Sequence, residues 1–394
     1  MFNMVHLFPT REGVRMDFAL TKEQEMVRKT ARDFAANELE PIAADIDESA
    51  EFPTETVRKL GELGFMGMTV PKEWGGAGLD DVSYVIAIEE ISKVCASHGI
   101  TLSVNNSLVC WPLMAFGTDA QKEKYLKPLA SGQKLGCFGL TEPNAGTDAA
   151  SQATVAEKQG DKYVINGNKI FITNGEKADV AIIFAMTDKS KGTRGISAFI
   201  IEKEFPGFSI GTVEKKLGIR GSCTAELVFE DMVVPEQNLL GGEGKGFKVA
   251  MATLDGGRIG VAAQALGIAE AAFEASVKYA KEREQFGKPI SKFQAIQWFL
   301  SDMATEIEAA RMLVYRAAFD KWQKRPYTVS AAMAKYLASD VAMKTTRNAI
   351  QVHGGYGFTK DYPVERFYRD AKITEIYEGT TEVQKMVISG NLLK

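Results

Sequence analysis

The spacing of apolar residues divides the chain into three stretches, and the first is typical of helices. Apolar residues follow Thr21 at intervals of three and four, which predicts an amphipathic helix capped by that threonine. A second helix is expected to end at Gly64, because glycine commonly terminates helices. Helices are therefore predicted behind Thr21 and over residues 54–63, 80–95 and about 119–130.

The middle stretch has a different pattern. Short runs rich in β-branched and aromatic residues alternate with Gly, Asn, Asp and Pro. Regularly spaced short strands with such turn signals predict a compact sheet or barrel. The runs are residues 163–167, 169–172, 180–184, 197–201 and 225–229.

After Gly246 the apolar spacing of three and four returns over long segments. Short loops join these segments, and short connections between long helices favour an antiparallel bundle. Helices are predicted over residues 247–284, 292–322, 328–353 and 364–389. The sequence thus predicts a multidomain α+β protein with a helical domain over 17–135, a β-domain over 136–246 and a helical bundle over 247–394.

The composition argues against several classes of protein. The 394 residues are 45% hydrophobic and 25% charged, which is ordinary for a globular protein, and the net charge of -4 gives no basic field for nucleic acid. Four scattered cysteines and three histidines lack the spacing of a zinc site and are typical of a reduced, intracellular protein. No apolar run approaches the ~20 residues that span a membrane, and residues 1–15 lack a secretory-signal pattern. We therefore expect no metal, no nucleic acid and no membrane insertion.

Six segments could carry chemistry, although each alone also fits a plain turn, hairpin, surface ion pair or helix end. The pair Gly256-Gly257 is notable, because each glycine lowers helix propensity by roughly 1 kcal/mol against alanine. Close approach of a ligand or another element would offset that cost. Glu378 taken alone is more typical of a capping or surface acid than of a base. The segments are residues 138–148, 169–175, 254–260, 281–294, 351–357 and 376–382.

Taken together, the six segments resemble the acyl-CoA dehydrogenase family in type, order and spacing over residues 17–394, most closely its short-chain (butyryl-CoA) type. The resemblance implies an N-terminal α-helical domain, a middle β-barrel-like domain and a C-terminal four-helix bundle. It also implies FAD as the cofactor, a homotetramer built as a dimer of dimers, and an electron-transferring flavoprotein as partner. The location would be cytoplasmic in a bacterium and the mitochondrial matrix in a eukaryote.

The resemblance also implies roles for single residues. Contacts with the flavin or its ribityl chain are implied for Phe138, Leu140, Thr141, Gly146, Thr147, Phe171, Ile172 and Thr173, the last three standing where many members have Trp-Ile-Thr. Contacts with the FAD of a neighbouring subunit are implied for Arg283, Phe286, Gln294, Gln351, Val352, Gly354 and Gly355. Thr380 and Glu382 would also touch the cofactor, whereas the substrate would meet Thr147, Leu254, Asp255, Arg258, Tyr377 and Gly379.

The activity implied by the resemblance is α,β-dehydrogenation of a short-chain acyl-CoA, butyryl-CoA to crotonyl-CoA, in either direction. Glu378 would be the catalytic base that removes the α-proton. Three alternatives stay open: a preference for medium or branched chains, a related flavin oxidase, and a non-enzymatic scaffold that kept the fold. A nitroalkane oxidase would be expected to have Asp at the position of Glu378.

Overall fold

The computed structural model describes residues 18–394, and its first part is helical as predicted. Thr21 caps the first helix: its side chain accepts from the backbone N–H of Gln24 at 3.2 Å, and the Gln24 side chain accepts from the backbone N–H of Thr21 at 3.0 Å. Residues 1–15, where no secretory signal was expected, lie outside the described residues. The helices are α1 (Lys22–Phe34), α2 (Ala43–Ser49), α3 (Thr54–Glu62), α4 (Asp81–Val94), α5 (Ala96–Ser103), α6 (Trp111–Phe116), α7 (Asp119–Gln121) and α8 (Lys127–Ala130), with π-helical turns over Ala35–Leu39, Val104–Cys110 and Lys122–Leu126.

Residues 96–116 were given no separate helix bounds from the sequence, although they lie in the stretch predicted to be mostly helical, and the structure makes them α5, a π-helical segment and α6. The polar residues of this segment make buried hydrogen bonds instead of facing solvent. The usual alternation of apolar and polar positions therefore does not reveal the helix. Asn105 donates to the carbonyl oxygens of Met66 and Leu129, and Asn106 donates to that of Phe65. The segment is therefore tied to the 3-10 turn Phe65–Gly67 and to α8.

The middle domain is one sheet of eight strands within residues 18–394. Their order is β6-β7-β3-β2-β4-β5-β8, with β1 parallel to β4. Successive side chains of β4 serve two apolar cores, since Ile182 and Phe184 pack against the helical domains whereas Ile183 packs into the sheet's own core. The strands are β1 (Gly136–Gly139), β2 (Val155–Gln159), β3 (Lys162–Thr173), β4 (Val180–Met186), β5 (Ile196–Glu202), β6 (Phe208–Val213), β7 (Thr224–Pro235) and β8 (Leu239–Leu240).

The last part is the predicted helical bundle, with a small two-stranded hairpin between its first two long helices. Its long helix α9 passes very close to the N-terminal helices, because a Cβ on Gly260 would lie 2.2 Å from the Ser103 Oγ and one on Gly267 would lie 2.3 Å from the carbonyl oxygen of Glu89. The elements are α9 (Gly246–Glu282), β9 (Glu284–Gln285), β10 (Lys288–Pro289), α10 (Gln294–Trp322), α11 (Thr328–His353), α12 (Val364–Lys372) and α13 (Thr381–Leu392).

The expectation of one helix over residues 364–389 is wrong. The chain leaves the helix after α12 and begins α13 only at Thr381. The break has a local cause, since Glu378 and Gly379 adopt φ angles of +53° and +93°, which a right-handed helix excludes. The domain limits predicted from the sequence stay a proposal; β1 begins at 136 and α9 at 246.

Arg369 on α12 joins the three domains directly before this break. Its guanidinium contacts Asp47 at 2.6 Å and Glu365 at 2.7 Å, and donates to the carbonyl oxygen of Leu217 at 3.2 Å. These partners lie in the N-terminal, C-terminal and middle domains respectively. One side chain therefore fixes the domains around the segment that carries Glu378.

Candidate active site

Glu378 lies in a strained turn that neighbouring side chains hold in place. Left-handed backbone at a residue with a Cβ costs of order 1–3 kcal/mol and persists only when its surroundings enforce it. The carbonyl oxygen of Gly379 accepts from Lys335 Nζ at 2.7 Å and from Gln384 Nε2 at 2.8 Å. Thr380 then caps α13 by accepting from the N–H of Val383.

The carboxylate of Glu378 is buried and carries no hydrogen bond. Neither of its oxygens has a partner among residues 18–394. Burial raises the pKa of Glu378 to about 7, and the positive charges of Lys335 and Arg258 oppose that rise. The interpretation of Glu378 as a surface or capping acid is therefore excluded, and the group can exchange a proton near neutral pH.

Gly257 makes room for this carboxylate. A Cβ on Gly257 would stand 2.1 Å from Oε2 of Glu378 and 2.7 Å from Cδ2 of Leu108, whereas one on Gly256 would come no closer than 3.6 Å to Lys321. The close approach that would offset the cost of the glycine pair is therefore found at Gly257, where the Glu378 side chain lies against the helix backbone.

Lys335 is a functional candidate that sequence reasoning missed. It is 0% exposed, and burial lowers its pKa to about 8 while Glu378 opposes that change. A signal was present, because Lys335 takes a place in the apolar stripe of α11 between Ala331 and Ala338, both buried. A lone cation in such a stripe indicates a buried charge with a partner.

Asp255 and Arg258 form the predicted pair, but not at the surface. Arg258 is buried and its guanidinium lies 2.6 Å from Asp255, which also accepts from the Thr328 hydroxyl at 2.7 Å. The Nε of Arg258 has no partner within the described part of the chain. One N–H of a buried cation is therefore left for a ligand, while neighbouring Leu254 is half-buried.

Tyr377, next to Glu378 in the chain, is bonded to Gln264 on α9. The Tyr377 hydroxyl donates to Gln264, whose amide donates to the carbonyl oxygen of Ala96 at 2.9 Å. Nearby, the hydroxyls of Tyr84 and Ser103 lie 3.0 Å apart against α9. Tyr84 and Tyr377, which both interact electrostatically with Glu378, are thus held by hydrogen bonds to other polar side chains.

The predicted flavin residues of the middle domain meet where the loop after β1 contacts β3. The carbonyl oxygen of Thr141 accepts from the N–H of Ile170 at 2.9 Å. Phe171 is 60% exposed with a φ of +59°, at a register shift of β3 that turns its ring outward. Of the remaining residues in this group, Phe138, Leu140 and Ile172 are buried, Thr173 is half-buried, and Gly146 and Thr147 are exposed.

A buried ion pair that the sequence did not reveal holds this loop. Lys169 Nζ lies 2.6 Å from Glu142, and both side chains are almost fully enclosed. Glu142 also accepts from the backbone N–H groups of Ala153 at 2.6 Å and Thr154 at 3.1 Å. Glu142, near the start of the loop between β1 and β2, is thus hydrogen-bonded to the residues at the end of that loop.

The second predicted cofactor group gathers around a cleft in the C-terminal domain. The cleft has a volume of about 490 Å³, and Arg283, Val352, Gly354 and Gly355 line it. Its aromatic wall was missed: Tyr279 stacks on His353 at 4.3 Å, and the Arg283 guanidinium lies 5.8 Å from the ring of Tyr356. The other members of the group are exposed, Phe286 to 92% at the β9–β10 turn, Gln294 at the start of α10 and Gln351 near the end of α11.

Both groups fit a flat cofactor that carries phosphates. Phe171 and Phe286 expose ring faces, and a Cβ on Gly146, Gly354 or Gly355 would meet no atom of the described chain within 4 Å. The hydroxyl of Thr381, at the start of α13 between Thr380 and the exposed Glu382, is buried without a partner in residues 18–394. Open glycine backbone, exposed rings and an unpaired hydroxyl are what a dinucleotide needs.

Residues 18–394 show no cluster of three or more His, Cys, Asp or Glu side chains placed to hold a metal ion. In the same part of the chain, no helix is long and apolar enough to cross a bilayer.

Comparison with known families gives matches over most of the chain. The acyl-CoA dehydrogenase N-terminal domain matches residues 21–133, the middle domain 137–232 and the C-terminal domain 244–393. A short-chain-specific acyl-CoA dehydrogenase of Clostridium acetobutylicum is 62% identical over 379 residues, which cover 96% of this chain and all of that protein.

Two solved structures share the fold over 96% of this chain and all of theirs. Butyryl-CoA dehydrogenase of Megasphaera elsdenii is 56% identical with a TM-score of 0.95. A chain of a structure described as an electron transferring flavoprotein of Acidaminococcus fermentans is 58% identical with a TM-score of 0.96. The protein therefore belongs to the acyl-CoA dehydrogenase family and has its three-domain architecture.

Proposed function

We propose that the protein is an FAD-dependent dehydrogenase of short-chain acyl-CoA thioesters, with Glu378 as the base that takes the α-proton. The observation that carries the proposal is the buried carboxylate of Glu378, which is unpaired within the described residues and has its pKa raised to about 7. A free carboxylate with that pKa can be ionised before the reaction and hold a proton after it.

The α-proton of a thioester is weakly acidic, so its removal needs donors for the developing enolate oxygen. The backbone N–H of Glu378 would supply one such donor. The strained turn at Glu378 and Gly379 fixes the N–H and the carboxylate relative to each other. One short segment would thus place both the base and the oxyanion donor.

We propose that FAD contacts the two groups of residues described above, one in the middle domain and one around the C-terminal cleft. Thr141, Phe171 and Thr173 would lie along the ring system, and Arg283 with Gly354 and Gly355 would hold the pyrophosphate of a second subunit's FAD. Bound FAD supplies the acceptor for the hydride that leaves the β-carbon. The cleft around Arg283 is lined by residues of the C-terminal domain, which supports a cofactor reaching it from a neighbouring subunit. A homotetramer arranged as a dimer of dimers would satisfy this arrangement.

The short-chain preference rests on the hydrogen-bonded groups around Glu378. The Tyr377–Gln264–Ala96 chain of hydrogen bonds and the Tyr84–Ser103 contact would limit the room for an acyl group there. Extending the acyl group would break these buried hydrogen bonds, and a broken bond leaves unpaired groups that cost about 1–3 kcal/mol each. The names of the relatives point to the same chain length.

We also propose an electron-transferring flavoprotein as the redox partner, in line with the structure that contains a 58% identical chain. The four cysteines are buried free thiols, which supports a reducing compartment: the bacterial cytoplasm, or the mitochondrial matrix of a eukaryote.

The proposal is tested by steady-state kcat/KM over C4 to C12 acyl-CoAs, measured with and without an electron-transferring flavoprotein. We expect a maximum at C4 and dependence on the flavoprotein. Full turnover with dioxygen alone would identify an oxidase, and a maximum at C8 or beyond would identify a longer-chain enzyme. Purification without bound FAD, together with no turnover, would favour a non-enzymatic scaffold.

A further inference from the structure

Lys335 is a fully buried cation directly beneath the Glu378–Gly379 turn. It extends from α11 and donates to the carbonyl oxygen of Gly379 at 2.7 Å. The same oxygen accepts from Gln384 on α13 at 2.8 Å. Side chains from α11 and α13 therefore both bind the carbonyl oxygen of Gly379, the residue that follows the proposed base.

We propose that Lys335 is a positioning residue for Glu378: its ammonium group fixes the turn and keeps a positive charge beside the carboxylate without giving it a proton. The inference deepens the proposed function and rests on Glu378 acting as the base.

The hydrogen-bond pattern supports the first half of this role. Lys335 gives its bond to backbone, and both oxygens of Glu378 are without a hydrogen bond in residues 18–394. The carboxylate lone pairs thus remain open toward a substrate. A direct Lys335–Glu378 hydrogen bond would instead occupy the group that must accept the α-proton.

The charges around the pair support the second half. Arg258 also faces Glu378, but Asp255 neutralises it at 2.6 Å. Lys335 has no acidic partner within salt-bridge distance among the described residues, so its charge acts on Glu378 with less compensation. The charged or titratable groups that face one or both members of the pair are Arg258, Glu375, Glu382, Tyr84 and Tyr377.

The sign of the effect follows from the change in charge. Taking up a proton neutralises Glu378 and leaves the buried ammonium of Lys335 without its counter-charge. Lys335 therefore favours the ionised base and offsets part of the effect of burial. Loss of the Lys335 charge should make Glu378 bind protons more tightly, so that activity falls at a higher pH than in the native enzyme.

The test compares Lys335→Met, Lys335→Gln and Lys335→Arg with the native FAD-loaded enzyme in pH profiles of kcat/KM for butyryl-CoA. We expect Lys335→Met and Lys335→Gln to move the acidic limb up by about one pH unit or more, which is the shift expected when a nearby opposite charge is lost. Lys335→Arg keeps the charge and should leave the limb near its native position. Lys335→Gln keeps an uncharged N–H donor, one atom shorter than lysine, and above the limb it should retain a kcat at least as high as that of Lys335→Met, which has no donor.

Lys344→Met is the matched control, because Lys344 lies on the same helix and pairs with Glu306 on α10. It should leave the limb unchanged. An unshifted limb in folded Lys335→Gln would overturn the inference, and so would an equal shift in Lys335→Arg. If Lys335→Met does not fold, the comparison of Gln with Arg decides, since both side chains keep N–H donors and only arginine is charged.

Failure of the inference can be separated from failure of the proposed function by Glu378→Gln measured in parallel. If Glu378→Gln is inactive and the Lys335 variants show no shift, Glu378 remains the base and Lys335 has no part in tuning it. If Glu378→Gln keeps its turnover, the proposed function itself fails and the inference falls with it.

Discussion

The Glu378 carboxylate lies against the backbone of Gly257, at a distance that leaves no room for even one added methyl group. The contact joins two segments 121 positions apart in the chain. The contact explains why a glycine stands at position 257 inside a long helix, because any side chain there would collide with the carboxylate.

Gly257→Ala should therefore displace the base. The new Cβ would overlap Oε2 of Glu378 at 2.1 Å, so the carboxylate must move by an ångström or more. Misplacement on that scale costs about a hundredfold in rate, and we expect kcat to fall by about that factor with FAD retained. Stopped-flow reduction of the flavin by butyryl-CoA measures it.

Gly256→Ala provides the control for that variant. Its Cβ would stand 3.6 Å from Lys321, an ordinary contact, and alanine favours the helix by roughly 1 kcal/mol. Near-native kcat and an unchanged or higher Tm are expected. Equal losses in the two variants would show that the Gly257–Glu378 contact is not the cause.

The pH dependence of the native enzyme follows from the environment of Glu378. Burial raises the pKa of Glu378 to about 7, and the base must be ionised to act. The rate constant kcat/KM should therefore fall as the pH drops through about 7, and not near the usual glutamate value of about 4.3. A profile from pH 5 to 9, with Tm recorded at each pH, separates titration from unfolding; a flat profile down to pH 5 would contradict the assignment.

Lys169→Met should loosen the cofactor loop. The substitution leaves Glu142 charged in a site closed to water, and removing one partner of a buried pair costs about 3–5 kcal/mol. Visible absorbance after gel filtration should show loss of FAD, and Tm should respond less to added FAD. Lys158→Met, which breaks the exposed pair with Glu236, is the matched control and should retain the cofactor.

Arg369→Met should weaken the junction of the three domains. It leaves Asp47 without its partner and removes the contacts with Glu365 and the Leu217 carbonyl. We expect a loss of about 2–4 kcal/mol in the free energy of unfolding. Lys372→Met, in an exposed pair with Glu375 on the same helix, should change it by less than about 1 kcal/mol, and chemical denaturation compares the two.

The sequence predicted the elements whose signals are local. The Thr21 cap, the ending of α3 before Gly64 and the strands β3, β4, β5 and β7 follow from residues close together in the chain, whereas β1, β2, β6 and β8 were not predicted. The break between α12 and α13 was missed, because an apolar stripe continues through it and the turn at Glu378 depends on partners from other elements.

Site features that depend on contacts between distant segments of the chain could not be predicted from local sequence patterns either. The position of the Glu378 carboxylate depends on Gly257, and its charge environment depends on Lys335, which stands in an apolar stripe of α11. The family resemblance supplied the identity of the base. The structure supplies the physical reasons why that carboxylate is suited to act as one.

The replacement Glu378→Gln tests the central claim most directly, since it keeps the shape of the side chain and removes its ability to take a proton. The variant should purify with FAD, bind butyryl-CoA near native affinity, and show flavin reduction slowed by at least about a thousandfold. Flavin reduction within tenfold of the native rate would contradict the assignment of Glu378 as the base.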